Sequence, residues 1–130
     1  MIDLLKPLIV TPEDVTIFKS LILKSNTVDP IEKNSHQKLF EELKSAMVLP
    51  SSQLPSNVVR LNSVVSIKTS FGIKKDIQLV LPSNADLSKN RLSVMSPMGA
   101  ALIGYQEGDS VLWSLPRGEE EITILKVNNN

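Results

Sequence analysis

Apolar residues recur every three or four positions across residues 11–47, and every second position from Val59 onward. The first period predicts helices and the second predicts strands. Thr11 is a good N-cap, Pro12 fits the first helical position, and Glu13 and Asp14 load the first turn with negative charge. Val15, Phe18 and Ile22 then fall on one face, widened by Leu21, until the weak helix formers Ser25, Asn26 and Thr27 end the run. Asp29-Pro30-Ile31-Glu32 reads as a capping box that starts a second helix, with Glu32 reaching back to the cap. His36, Leu39, Phe40, Leu43 and Met47 share a face of it, while Lys38, Glu41, Glu42 and Lys44 lie mostly off that face. Two short helices with a tight connection predict an antiparallel helical hairpin. Pro50, Ser51, Ser52 and Pro55 mark a linker.

In the second half Val59, Leu61, Val65 and Ile67 alternate with Arg60, Asn62, Ser66 and Lys68, with Ser63 facing inward. Phe71-Gly72 turns the chain into a strand whose Ile77, Leu79 and Leu81 share a face, and residues 82–90 form a loop. Leu92 and Val94 predict a short third strand. Val111, Trp113 and Leu115 predict a fourth, and Ile122 and Ile124 a fifth, with Pro116-Arg117-Gly118 as the turn between these two. Ser96 as cap, Pro97 first and Gly104 as terminator describe one short helix covering a face of the sheet. The expected class is α+β: a helical hairpin over residues 1–50, a linker over 51–57, and an antiparallel sheet with one short helix over 58–130.

Composition narrows the chemistry. Fourteen Lys and Arg balance fourteen Asp and Glu, which argues against a chain that holds nucleic acid by neutralising phosphates. The absence of Cys excludes disulfides, thiol catalysis and zinc–thiolate sites, and a lone His excludes His-rich metal sites within one chain. Aromatic residues make up only 4%, so aliphatic side chains must fill the core. The N-terminal apolar stretch is broken by Asp3, Lys6 and Pro7 and has no basic flank, so neither a signal peptide nor an anchor is expected. No run of about 18 apolar residues predicts a membrane span. A cytoplasmic protein is the expectation.

No phosphate-binding glycine loop, dinucleotide fingerprint or nucleophile elbow occurs. His36 sits on an apolar helix face and reads as a histidine at the edge of the hairpin seam. Glu119, Glu120 and Glu121 read as a solvated strand shoulder, because adjacent carboxylates on a strand cannot converge on one ion. Lys68, Lys74 and Lys75 form a small basic edge of the kind that blunts an exposed strand. Asp29 and Glu32 sit three apart at a helix start, where two carboxylates can share a hard cation such as Mg²⁺, although the capping box explains both without one.

Residues 92–118, L-S-V-M-S-P-M-G-A-A-L-I-G-Y-Q-E-G-D-S-V-L-W-S-L-P-R-G, resemble the C-terminal domain of the bacterial Gre transcript-cleavage factors. That family runs a strand into an S-P-x-G/A-x-A-L helix, then a G-D-x-V strand and a P-x-G turn. The match extends back to V-V-R-L-N-S-V-V at residues 58–65 and forward to Ile124. The whole chain looks most like the Rnk branch, which pairs this domain with a shortened helical hairpin. The resemblance implies an FKBP-like C-terminal domain that docks on RNA polymerase at the rim of its secondary channel. Ser96 and Pro97 match the docking motif, Met98 is the apolar residue beside it, and Met95 stands where some cleavage factors carry a polar or acidic residue. In the longer Gre factors an acidic hairpin tip helps hold a catalytic Mg²⁺, and Asp29 and Glu32 echo its D-x-x-E.

The expectation is therefore a regulator with RNA polymerase as partner. It needs no cofactor, no membrane and no sequence-specific nucleic acid, is not an enzyme, and has an open oligomeric state. A polymerase-independent regulator, for instance of a nucleotide-metabolising enzyme such as nucleoside diphosphate kinase, is the alternative. Transcript cleavage is disfavoured by the short helices. Prolyl isomerase activity is disfavoured because Trp113, Tyr105 and Phe71 are too few to line a proline pocket.

Overall fold

The computed structural model describes residues 7–115 and 118–129. Strand β1 (Ile9–Val10) leads into helix α1 (Pro12–Lys24), and residues 25–29 connect it to helix α2 (Pro30–Lys44), which is followed by β2 (Met47–Val48). Thr11 Oγ1 accepts from the Asp14 amide at 3.1 Å, so the first cap forms as its sequence predicts. At α2 only half of the capping box forms. Asp29 Oδ1 accepts from the Ile31 amide at 3.0 Å, but the Asp29 amide donates to Thr27 Oγ1 at 3.3 Å, the position Glu32 was expected to take. β1 and β2 pair in parallel, Ile9 with Met47 and Val10 with Val48. That pair holds the start of α1 beside the end of α2, so the helices leave and return at one place.

The sheet has the order β5-β4-β3-β7-β6, built from β3 (Val64–Thr69), β4 (Gly72–Val80), β5 (Arg91–Ser93), β6 (Ser110–Leu115) and β7 (Gly118–Asn128). Helix α3 (Pro97–Leu102) lies between β5 and β6 in the chain. Two expectations need correction. The sheet is mixed, because β5 runs parallel to β4 in the register Leu79 to Leu92. Residues 81–90 carry the chain back through two 3₁₀ turns, Pro82–Asn84 and Leu87–Lys89, before β5 starts. The first long strand also begins at Val64 rather than Val59, because Leu61 and Asn62 turn and Asn62 adopts a left-handed φ of 73°. Val59 is buried nonetheless, its amide and carbonyl bonded to the main chain of Tyr105 and Gly104. Pro116 and Arg117 of the expected turn lie outside the described residues.

One continuous core joins both halves. Phe18, Leu39 and Leu43 of the helices cluster with Ile67, Leu79, Trp113, Ile122 and Ile124 of the sheet and Leu102 of α3. Each such side chain contributes about 1.5–3 kcal/mol by burial. Gly104 marks a close approach: its φ is +83°, and a Cβ there would stand 2.7 Å from Leu8 Cβ.

Candidate functional site

The residues singled out by sequence fall into two places. Met95, Ser96, Pro97 and Met98 form the turn into α3, and all four are half-buried. Asp29 and Glu32 lie at the other end of α2, with Asp29 exposed and Glu32 half-buried. The structure does not bring the two sets together.

The turn into α3 is closed by its own bonds. Ser96 Oγ accepts from the Gly99 amide at 3.0 Å and donates to the Ser93 carbonyl at 2.7 Å. The Met95 amide donates to Ser93 Oγ at 3.0 Å, and the Ser96 amide donates to the Ser93 carbonyl at 3.1 Å. A Cβ on Gly99 would fall on the Ser93 carbonyl oxygen, so only glycine allows this turn to fold so tightly. Ser96 therefore spends its hydroxyl inside the turn. Pro97 and Met98 are left as the part-exposed apolar surface of a rigid loop.

Helix α2 grips this loop from behind. His36, only 5% exposed, lies 2.8 Å from the Met95 carbonyl through Nε2. A carbonyl only accepts, so Nε2 carries the proton in this contact. The ring also lines the groove between α1 and α2, beside Ile22 and Phe40. It thus sits at the helix seam, as expected, and reaches beyond it. Two more hydrogen bonds and a cation–π contact extend the grip of α2 to β6 and Tyr105. Trp113 Nε1 donates to Ser35 Oγ at 3.1 Å, Lys38 Nζ stands 4.3 Å from the Trp113 ring centroid, and Tyr105 Oη donates to Glu42 Oε2 at 3.0 Å. On α1, Asp14 Oδ2 accepts from the Leu61 amide at 3.1 Å.

Burial pushes the Glu42 carboxyl above its ordinary range, partly offset by the Tyr105 hydroxyl and the Lys38 charge. Glu42 Oε1 is buried without a hydrogen bond. Burial, and then the Glu42 charge, raise Tyr105 well above the usual phenol range. These tethers were missed at the sequence level, where Lys38 and Glu42 appeared to stand off the apolar face. Their signal was the spacing of Ser35, Lys38 and Glu42, which flanks the Leu39–Leu43 stripe on one side.

At the tip the picture is sparse. Leu23 and Val28 are 74% and 88% exposed, and the first buried side chain of α2 is Ser35. From Asp29 to His36 is seven residues, so the tip overhangs the Met95 contact by about 10 Å. Among the described residues no group of three or more His, Asp or Glu is placed to hold a metal ion. Glu120, the middle of the carboxylate run, accepts from the Ser70 amide at 3.0 Å, and its pKa is lowered by the Ser70 hydroxyl first and by that amide second.

Comparison with known proteins gives a consistent family. Residues 54–129 match the family model described as transcription elongation factor GreA/GreB, C-terminal. The Regulator of nucleoside diphosphate kinase from Escherichia coli K12 is 41% identical over 81 residues, 62% of this chain and 60% of that protein. Transcription elongation factor GreA from Christiangramia forsetii is 33% identical over 91 residues, 69% of this chain and 58% of that protein. The matched region thus spans about 60% of the length of these curated relatives. The solved structure of a GreA/GreB transcription elongation factor from Nitrosomonas europaea superposes with a TM-score of 0.74 at 25% identity, over 95% of this chain and 99% of that one. Helices and sheet together share that protein's α+β architecture.

Proposed function

This chain belongs to the GreA/GreB transcription elongation factor family, and from that membership we propose that it regulates transcription by binding RNA polymerase without catalysing a reaction itself. Its C-terminal part, over residues 58–130, is taken as the family's FKBP-like domain, with residues 1–50 as the helical hairpin and 51–57 as the linker. Docking runs through Pro97 and Met98 at the rim of the secondary channel, with Ser96 and Met95 holding the loop in shape. The observation that carries this reading is the self-closed turn into α3. A part-exposed Pro and Met on a loop that loses no further entropy make a small, preorganised anchor.

The length of the helices sets what the bound protein does. Helix α1 has 13 residues and α2 has 15, so the longer is about 22 Å and its free tip only about 10 Å. A tip that short leaves Asp29 and Glu32 at the channel mouth, where the protein competes with longer factors and does not stimulate RNA cleavage. Asp29 is already committed to its cap, which fits a structural carboxylate better than a metal ligand. The protein works in the cytoplasm, where polymerase is.

The test is pull-down of RNA polymerase, followed by cleavage assays on backtracked complexes. Replacing Pro97 and Met98 together by Ser should weaken binding by about 2 kcal/mol or more while leaving the fold intact. Undiminished binding by the folded double variant would remove this docking site. Cleavage stimulated by the protein, and lost in Asp29→Ala or Glu32→Ala with binding retained, would make the tip catalytic. One observation favours a second reading: the 41%-identical relative is described as a regulator of nucleoside diphosphate kinase. Capture of that kinase, with no polymerase bound, would select it.

A further inference from the structure

Strand β4 has nine residues, but its outer neighbour β5 covers only three of them, Gln78, Leu79 and Val80. Among the described residues no strand pairs with the outer edge of residues 72–77. In the antiparallel pair with β3, Thr69 faces Gly72 across the two-residue turn, and Ile67 faces Lys74. Bonded and non-bonded positions alternate along such a pair, so the amide and carbonyl groups of Ile73 and Lys75 point away from β3, onto the open edge. The alternation breaks at Asp76, whose φ is 56° and whose amide donates to Ser66 Oγ at 3.1 Å, and pairing resumes with Ile77 opposite Val65.

Beside that edge lies a groove of about 380 Å³, lined by Lys74, Lys75, Ile77, Leu87, Asn90, Leu92 and Met98. It occupies the place where a longer β5 would run. Its floor is aliphatic, and Leu87 stands 74% exposed over it. Neither lysine ion-pairs among the described residues, and the nearest acidic residue on the strand is Asp76.

We propose that this groove is a strand-addition site for an extended acidic peptide segment of a partner protein. The open amide and carbonyl groups supply main-chain bonds, the aliphatic floor receives every second side chain, and the two lysines pair with carboxylates between them. Charge selects the occupant. A second copy of this chain would bring four lysines together along the joined edges, which disfavours self-pairing. Nucleic acid is disfavoured because no aromatic ring lines the groove to stack a base, and the chain has no net charge.

The site shares Met98 with the proposed polymerase anchor but does not rest on that reading, because its test contains no polymerase. Isotopically labelled full chain is titrated with the synthetic hexapeptide Glu-Val-Glu-Leu-Glu-Val, followed by backbone amide shifts and hydrogen exchange. The expected result is shifts at Ile73, Lys75, Leu87 and Leu92, with slowed exchange of the Ile73 and Lys75 amides. Binding should fall roughly tenfold in Lys74→Glu/Lys75→Glu. It should be lost for a peptide N-methylated at alternate residues, which keeps its charge but cannot add a strand. That arm needs no variant, so it decides the matter even if the double variant misfolds. Absence of shifts at millimolar peptide would overturn the proposal. So would equal binding of the N-methylated peptide, of a Lys-Val analogue, or of a six-nucleotide RNA at the same residues.

Discussion

Asp29-Pro30 and Ser96-Pro97 are the same local device, a capping side chain followed by proline at the first helical position, yet they live in opposite surroundings. Asp29 makes one cap bond at an exposed tip, beside side chains that meet little but water. Ser96 makes a cap bond and a second bond back to Ser93, on a turn that His36 holds from behind and that admits no side chain at position 99. Equal sequence signals therefore carry unequal weight. The difference comes from what the rest of the chain brings to each cap.

The sharpest way to break the contrast is Gly99→Ala. The new methyl meets main chain that cannot rotate away, so a loss of about 3 kcal/mol is expected in chemical denaturation, with polymerase binding lost alongside. A loss below about 1 kcal/mol would show that the turn is loose after all. The paired caps come next. Ser96→Ala should cost about 1.5 kcal/mol and Asp29→Ala about 0.5 kcal/mol in the same measurement. Equal costs would erase the distinction between the two sites.

The smallest expected effect concerns Glu42, which ties α2 to Tyr105. Its folded pKa is raised, so the native state holds the proton more tightly than the unfolded chain. The stability this adds is complete below the unfolded value near 4.5, and it drains away as pH rises through the raised folded value. Glu42→Gln keeps an acceptor for the Tyr105 hydroxyl and removes the charge. Relative to wild type, its Tm should rise by about 2 °C at neutral pH, the gap closing below that window. A constant gap across pH would mean that Glu42 does not titrate as its burial implies.

The same contrast explains what was legible from residues alone. Caps, the Phe71-Gly72 turn and most strand positions are written within a few neighbouring residues, and these appear largely where their patterns place them. The half-formed box at Asp29 shows the limit even there, since Thr27 competes for the same amide. Strand β5 has three residues, too few for alternation to reveal that it runs parallel. The tethers of α2 join residues 59 to 78 positions apart in the chain, and no local period encodes such pairs. The Ser96-Pro97 motif was visible through its family resemblance. Its rigidity was not, because that depends on a carbonyl at Ser93 folding back over Gly99.

The two-residue parallel pairing of β1 with β2 has a consequence for how such a protein can change. It fastens both ends of the helical segment at one point, so residues 11–46 behave as an insert whose entrance and exit are already joined. The contacts that hold this segment to the rest of the chain run from Asp14 and Phe18 on α1 to Ser35, His36, Leu39 and Glu42 on α2, and they stop at Ser35, short of the tip. Extra turns added symmetrically beyond Lys24 and before Asn34 would lengthen the projection by about 5.4 Å each without disturbing a single one of those bonds. Reach is thus an adjustable dimension of this architecture, separable from the fold that anchors it.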